Sequence, residues 1–144
     1  MQVKFQKLNV DATVPQYAHD DDSGMDLCSC IDCTILPSER RLIPTGLSMQ
    51  LPRNVEAQIR PRSGLALKHG ITVLNTPGTI DAGYRGEIGV ILINLSADPY
   101  IVKKGDRIAQ LVFQKIVRVV LRPSLELRET ERGKKGYGST GYSR

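Results

Sequence analysis

The sequence predicts an all-β fold of sandwich or jelly-roll type with one short helix, on three observations. Apolar residues nowhere sustain the i, i+3, i+4, i+7 stripe of an amphipathic helix. Short segments rich in Val, Ile, Leu and Thr recur instead between glycine, proline, asparagine and aspartate. The eight prolines are spread along the chain and separate these segments rather than gathering in a linker. Many short strands joined by turns pack most readily as two sheets or a jelly roll.

Taken in order, strands are expected around Val3 to Leu8, Met25 to Cys30, Arg41 to Leu51, Val55 to Arg60 and Ile71 to Leu74. Further strands are expected around Glu87 to Leu95, Tyr100 to Val102, Ile108 to Phe113 and Ile116 to Leu121. The one helix follows Ser63, where Leu65, Ala66, Leu67 and Lys68 are good helix formers behind a serine cap. From Glu126 to Arg144 the apolar pattern is lost, and Gly133, Gly136, Gly138 and Gly141 crowd together. Such a tail packs no core and is either disordered or ordered by what it binds. The expected organisation is one domain over residues 1–127 and a flexible C-terminal arm over 128–144.

Length and composition narrow the function classes. At 144 residues one core is expected. Apolar runs such as Val90 to Ile93 fall far short of the roughly 20 residues of a membrane helix, and the N-terminus lacks a signal pattern. The reading is a soluble, cytoplasmic protein. Cys28, Cys30 and Cys33 are too close and odd in number for a disulfide framework, so reduced thiols are expected. Zinc would need a fourth ligand, and His19 and His69 stand at no finger-like spacing. The charge of +5 suits an anionic partner, but aromatics make up only 5% and no basic run carries stacking residues. Direct nucleic-acid binding is therefore not expected.

Five segments carry chemistry. Ser23-Gly24-Met25-Asp26-Leu27 sets an acid at an apolar strand start, read by itself as a turn aspartate. Pro61-Arg62-Ser63-Gly64-Leu65-Ala66 offers a guanidinium, a hydroxyl and free amides at a helix start, either an anion cradle or an ordinary capped turn. Asn75-Thr76-Pro77-Gly78-Thr79-Ile80-Asp81-Ala82-Gly83-Tyr84-Arg85-Gly86-Glu87-Ile88 frames an acid and an aromatic between glycine turns. A hairpin there would set Asp81 and Tyr84 on one wall of a cleft. Gly105-Asp106-Arg107-Ile108-Ala109-Gln110-Leu111 places a glutamine among strand residues, on a solvent face or satisfied by partners. Arg132-Gly133-Lys134-Lys135-Gly136-Tyr137-Gly138-Ser139-Thr140-Gly141 joins cations, an aromatic and flexible backbone. This last segment echoes a P-loop but lacks the lysine after the second glycine and any following helix.

The ordered set SGMDL, PRSGLA, NTPGTIDAGYRGEI, GDRIAQL and RGKKGYGSTG resembles the five motifs of the trimeric deoxyuridine triphosphatases and covers almost the whole chain. The resemblance implies a distorted jelly-roll (β-clip) subunit and a homotrimer whose active sites are shared between chains. It also implies an arm that closes over bound nucleotide, and Mg²⁺-dependent hydrolysis of dUTP to dUMP and pyrophosphate. By that similarity Asp81 is the base that orients the attacking water and holds the sugar 3′-hydroxyl. Arg62, Ser63 and Gly64 contact phosphate, while Asn75 and backbone groups at Thr79, Ile80 and Gly89 line the uracil slot. Tyr84 is the floor under deoxyribose. Asp26 and Gln110 act through water, on the magnesium shell and on the α-phosphate side. From the arm, Arg132 and Ser139 grip the γ end, with Gly138 beside them, and Tyr137 stacks on the base.

The chemistry suits that assignment, because attack at phosphorus is eased when Mg²⁺ and fixed cations neutralise the triphosphate and the water is aligned. A backbone-lined slot rejects a 5-methyl group and the reversed donor pattern of cytosine. Two positions depart from the family pattern: Tyr137 stands where phenylalanine is usual and Lys135 where glycine is frequent. Tyrosine still stacks on a base. The alternatives are a dCTP deaminase of the same fold and a non-catalytic nucleotide-binding regulator. The deaminase needs a glutamate ten residues beyond the aspartate, where this chain has Ile91, which carries no proton. The regulator has no need of a water-aligning base.

Overall fold

The computed structural model describes residues 1–136. Its elements in chain order are β1 (Lys4–Lys7), β2 (Met25–Cys28), β3 (Cys33–Ile35), β4 (Arg40–Pro44), β5 (Leu47–Gln50) and β6 (Val55–Arg60). They continue with α1 (Ser63–His69), β7 (Ile71–Val73), β8 (Gly78–Ile80), β9 (Gly89–Asn94), β10 (Tyr100–Val102) and β11 (Arg107–Lys115). The strands form one four-stranded sheet in the order β2-β11-β6-β8, a three-stranded sheet β4-β9-β7, and the pairs β1-β5 and β10-β3. Every pairing is antiparallel. Among the described residues no helix is long and apolar enough to cross a membrane.

Alternation builds the core. In β6 Val55, Ala57 and Ile59 point inward while Glu56, Gln58 and Arg60 stay half-buried on the other face, and β9 buries Val90, Leu92 and Asn94. Of these, Ala57, Ile59, Val90 and Leu92 meet Leu27, Ile35, Ile43, Leu47, Ile71, Ile88 and Leu111 in one cluster. Burying a Leu or Ile side chain contributes about 1.5–3 kcal/mol, which makes this cluster the main source of stability. Asn94 is the polar hub: its Nδ2 donates to the carbonyls of Ile35 (2.9 Å) and Asp98 (2.8 Å), so its burial leaves no donor unmet.

Four expectations need correction. The run Arg41 to Leu51 is two strands, broken where Gly46 takes φ +70 and its α-hydrogen faces Ala12; a Cβ there would lie 2.8 Å from the Ala12 methyl. Ser63 is the first residue of α1 and not its cap; Arg62 holds the cap position, and its side chain makes no capping bond to the helix. The helix ends as glycine dictates, with Gly70 left-handed and its N–H bonded to the Ala66 carbonyl at 3.1 Å. The segment Ile116 to Leu121 forms no strand: past the Ile116 N–H bond to the Asn54 carbonyl (3.0 Å), Val117, Val119, Val120 and Leu121 are exposed. Finally, Asn75 to Ile88 is no hairpin, because β8 pairs with β6 rather than with β9.

Candidate active site

The sequence-derived site residues fall into two groups at different places on the four-stranded sheet. The first surrounds β8, the edge strand beyond β6. A cleft of about 190 Å³ is lined there by Asn75, Thr79, Ile80, Asp81, Tyr84 and Gly89, together with Ile59, Gly78, Glu87 and Ile88. Thr79 pairs with Gln58 of β6, which fixes the backbone of that wall. Beyond Ile80 the chain turns, with the Tyr84 N–H bonded to the Asp81 carbonyl at 3.0 Å. The end of the Tyr84 ring lies against Gly86, where an added Cβ would come within 2.6 Å of its Cζ, and its hydroxyl donates to the Glu87 carbonyl at 3.0 Å. Glu87, which sequence reasoning passed over, anchors the far wall by accepting the Gly46 N–H at 2.8 Å.

The second group sits where β2, β11 and the start of α1 meet. Gln110 of β11 stands between Asp26 of β2 and Arg60 of β6 in the register of the sheet. The Asp26 carboxylate pairs with Arg62 Nε at 3.1 Å and with an Arg107 nitrogen at 3.5 Å, and Arg62 Nη1 donates to the Arg107 carbonyl at 2.9 Å. The Arg62 contact is ionic without hydrogen-bond alignment, so the buried Asp26 Oδ1 is left with no hydrogen-bond donor among the described residues. Around Gly64 a Cβ would meet nothing within 4 Å, which keeps the backbone of this corner open to a ligand.

Arg107 is a member of this group that sequence reasoning missed. Three residues before Gln110, it belongs on the opposite sheet face by strict alternation. A bulge between Arg107 and Ala109 shifts the register, so Arg107 opposes Cys28 and turns to the face of Asp26. No local sequence signal announces that bulge.

The remaining site expectations stand apart. Arg132 is exposed, and its Nε donates to the Lys135 carbonyl at 3.1 Å; no bond joins it to either group among the described residues. Tyr137, Gly138 and Ser139 lie outside the described residues. Cys28, Cys30 and Cys33 are free thiols, each pushed up from the ordinary 9.0 chiefly by burial and, at Cys28, next by the Asp26 charge. A larger hollow of about 530 Å³ beside β1, β5 and β11 is lined by Met1, Val3, Phe5, Met25, Met49 and Phe113 among others, and none of its lining side chains is charged.

The antiparallel sheets define an all-β domain of jelly-roll type with a polar cleft at a sheet edge. Comparison with known proteins is more specific. The family model described as dUTPase matches residues 10–141. The chain is 60% identical over 139 residues to the deoxyuridine 5′-triphosphate nucleotidohydrolase of Clostridium tetani, covering 96% of each chain. It is 54% identical over 143 residues to the protein of the same name in Rickettsia rickettsii, covering 97% of each. Among solved structures, the Staphylococcus bacteriophage 80alpha dUTPase with dUPNHPP superposes at a TM-score of 0.88 with 28% identity, over 97% of this chain and 98% of that one. A mutant of that phage enzyme with dUpNHpp reaches a TM-score of 0.91 at 27% identity, over 97% and 98%. The chain belongs to the dUTPase family.

Proposed function

We propose that the chain hydrolyses dUTP to dUMP and pyrophosphate, with Mg²⁺, at active sites shared between the subunits of a homotrimer. Such a reaction supplies dUMP for thymidylate synthesis and limits uracil incorporation into DNA. One observation carries the shared-site reading: the cleft at Asp81 and Tyr84 and the phosphate-type cations belong to separate groups on one chain. At about 190 Å³ the cleft is smaller than the roughly 300 Å³ at which ligand pockets begin, and no arginine lines it. A second chain bringing Arg62, Ser63, Gly64 and Gln110 to that cleft would complete a triphosphate site. The exposed run of Val117, Val119, Val120 and Leu121 supports association, since such apolar surface calls for cover.

In this reading Asn75 and the backbone at Thr79, Ile80 and Gly89 recognise uracil, and Tyr84 excludes a ribose 2′-hydroxyl. Asp81 accepts a hydrogen bond from the attacking water and aligns it on the α-phosphorus, while Gln110 assists from the α-phosphate side. Arg62, with Ser63 and Gly64, holds the charge that develops on the phosphates, and Arg107 joins it. The donor set fits magnesium: Asp26 Oδ1 is buried without a hydrogen-bond donor, and Asp26 and the Gln110 amide face each other across β2 and β11. Oxygen donors of this kind hold Mg²⁺ through water, with the substrate phosphates as its main ligands. When bound, the ion neutralises phosphate charge. The arm, residues 128–144, would close over the nucleotide with Arg132, Tyr137, Gly138 and Ser139.

The test is pyrophosphate release from dUTP beside dTTP, dCTP and UTP, with sedimentation on the same sample. Only dUTP should turn over efficiently, from a trimer. Asp81→Asn should bind dUTP and lose about a hundredfold or more in turnover, the scale of a lost general base. Binding of dUTP without turnover by the wild-type chain would favour the regulator instead.

A further inference from the structure

We infer that Arg85 is a positioning residue of the reaction: its guanidinium staples the turn that carries Asp81 and Tyr84 and sets where both side chains stand. The inference rests on the reading of Asp81 as the water-aligning base.

At its ends the turn is held by Ala82 against the core and by the Tyr84 hydroxyl on the Glu87 carbonyl; its middle, at Gly83, has neither. After β8 the chain runs Asp81-Ala82-Gly83-Tyr84, closed by one backbone bond from the Tyr84 N–H to the Asp81 carbonyl at 3.0 Å. Ala82 is half-buried against the core, but a Cβ at Gly83 would meet nothing within 4 Å, so packing holds one end of this stretch and leaves Gly83 unsupported. A glycine there leaves the backbone free to sample many conformations. Arg85 restrains that middle: its Nη1 donates to the Ala82 carbonyl at 2.8 Å and to the Tyr84 carbonyl at 2.6 Å. Bonds from a charged donor are the stronger kind, and one nitrogen shared by two carbonyls ties Ala82 to Tyr84 across Gly83.

The staple is itself anchored. The Arg85 carbonyl accepts the hydroxyl of Ser48 at 2.7 Å, and Ser48 is buried in β5 between Leu47 and Met49 of the core. A line of bonds therefore runs from the core through Arg85 to the turn. Among the described residues Arg85 forms no ion pair with a carboxylate; its neighbours across an open hollow are Arg53 and Arg118. The arrangement commits its charge to the backbone carbonyls on either side of Gly83. Lysine, a strongly hydrated point charge on a flexible stem, reproduces the charge but gives up more hydration and rotamer freedom to make the same two bonds.

The experiment compares full-length Arg85→Ala, Arg85→Lys and Asp81→Asn with the wild-type chain. Displacing a reacting group by about 1 Å costs on the order of a hundredfold in rate, so Arg85→Ala should lose tenfold to a hundredfold in kcat with a smaller change in KM. Its preference for dUTP over UTP should relax in parallel, because Tyr84 moves with the turn. Added guanidinium ion at millimolar concentration should restore part of kcat in Arg85→Ala and none in Asp81→Asn; Arg85→Lys should recover less than the rescued alanine variant. Wild-type kcat and selectivity in Arg85→Ala, beside an inactive Asp81→Asn, overturns the inference and leaves the base assignment standing. Full turnover by Asp81→Asn overturns the base assignment instead. If Arg85→Ala does not fold, a lysine variant with wild-type kcat and selectivity overturns the inference, and a folded lysine variant with lowered kcat and relaxed selectivity upholds it.

Discussion

Gly86→Ala separates the sugar floor from the stability of the domain. A Cβ at residue 86 would be in hard contact with Tyr84 Oη, 2.6 Å from Cζ and 3.0 Å from Cε2, against the 3.5–4.0 Å of normal carbon contacts. The ring must move by about 1 Å or more to restore those distances. It can do so, because Tyr84 is 48% exposed, but its hydroxyl then leaves the Glu87 carbonyl. An exposed hydrogen bond of that kind is worth about 0.5–1.5 kcal/mol. Alanine also restricts the unfolded chain, stabilising by about 0.4–1 kcal/mol where glycine's φ is not positive. Gly86 is not among the positive-φ glycines, so the two effects nearly cancel. The melting midpoint should move by less than about 4 °C. Discrimination between dUTP and UTP, measured as the ratio of kcat/KM by pyrophosphate release, should fall roughly tenfold to a hundredfold, the range over which a pocket rejects one extra hydroxyl. Unchanged discrimination with a displaced ring would refute the floor; a melting drop beyond about 8 °C would mean that the ring holds the fold instead.

Other outcomes follow from named contacts. Arg62→Met removes a cation from beside Asp26, and kcat/KM for dUTP should fall about tenfold to a hundredfold, the value of one hydrogen bond to a charged group; a change below twofold would exclude Arg62 from phosphate binding. Asn94→Leu strips the Ile35 and Asp98 carbonyls and the Ser96 N–H (2.9 Å) of their buried partner, so urea denaturation should show a loss of about 3–5 kcal/mol. Wild-type stability there would show that water replaces the amide. For Cys28, Cys30 and Cys33 the folded pKa lies above the ordinary 9.0, so the unfolded chain ionises first as pH rises. Their contribution to stability is complete below pH 9 and is lost on raising the pH through the folded values, which denaturation midpoints across that range will register. At pH 8 a thiol reagent should label the native chain slowly and the urea-unfolded chain at once.

Much of this was legible because the signal was local. The alternation of Val55 to Arg60 gives β6 and its inward face directly, and Leu65 to Lys68 falls inside α1. The motif around Asp81 gave five of the expected site residues that line one cleft, Asn75, Thr79, Ile80, Asp81 and Tyr84, since they lie within ten positions of one another. What stayed hidden depends on distant partners. Cys33–Ile35 becomes β3 only by pairing with Tyr100–Val102, and Gly78–Ile80 becomes β8 only against β6. Strand propensity misled at Ile116 to Leu121, where β-branched residues meet no partner strand within the chain. Arg107 escaped because a bulge, invisible to a period of two, turned it around.

The distance in the fold between the Tyr84 cleft and the Arg62 corner bears on inheritance. If each chain lends its cleft to one catalytic centre and its cations to another, a cell carrying two damaged alleles need not lack activity. A lesion at Tyr84 on one allele and at Arg62 on the other would still leave some centres in mixed assemblies built wholly from sound halves. The same two lesions on one allele would leave none in its own product, and that product would spoil centres in assemblies shared with a healthy chain. Dominance at this locus would then be read from which allele carries which half.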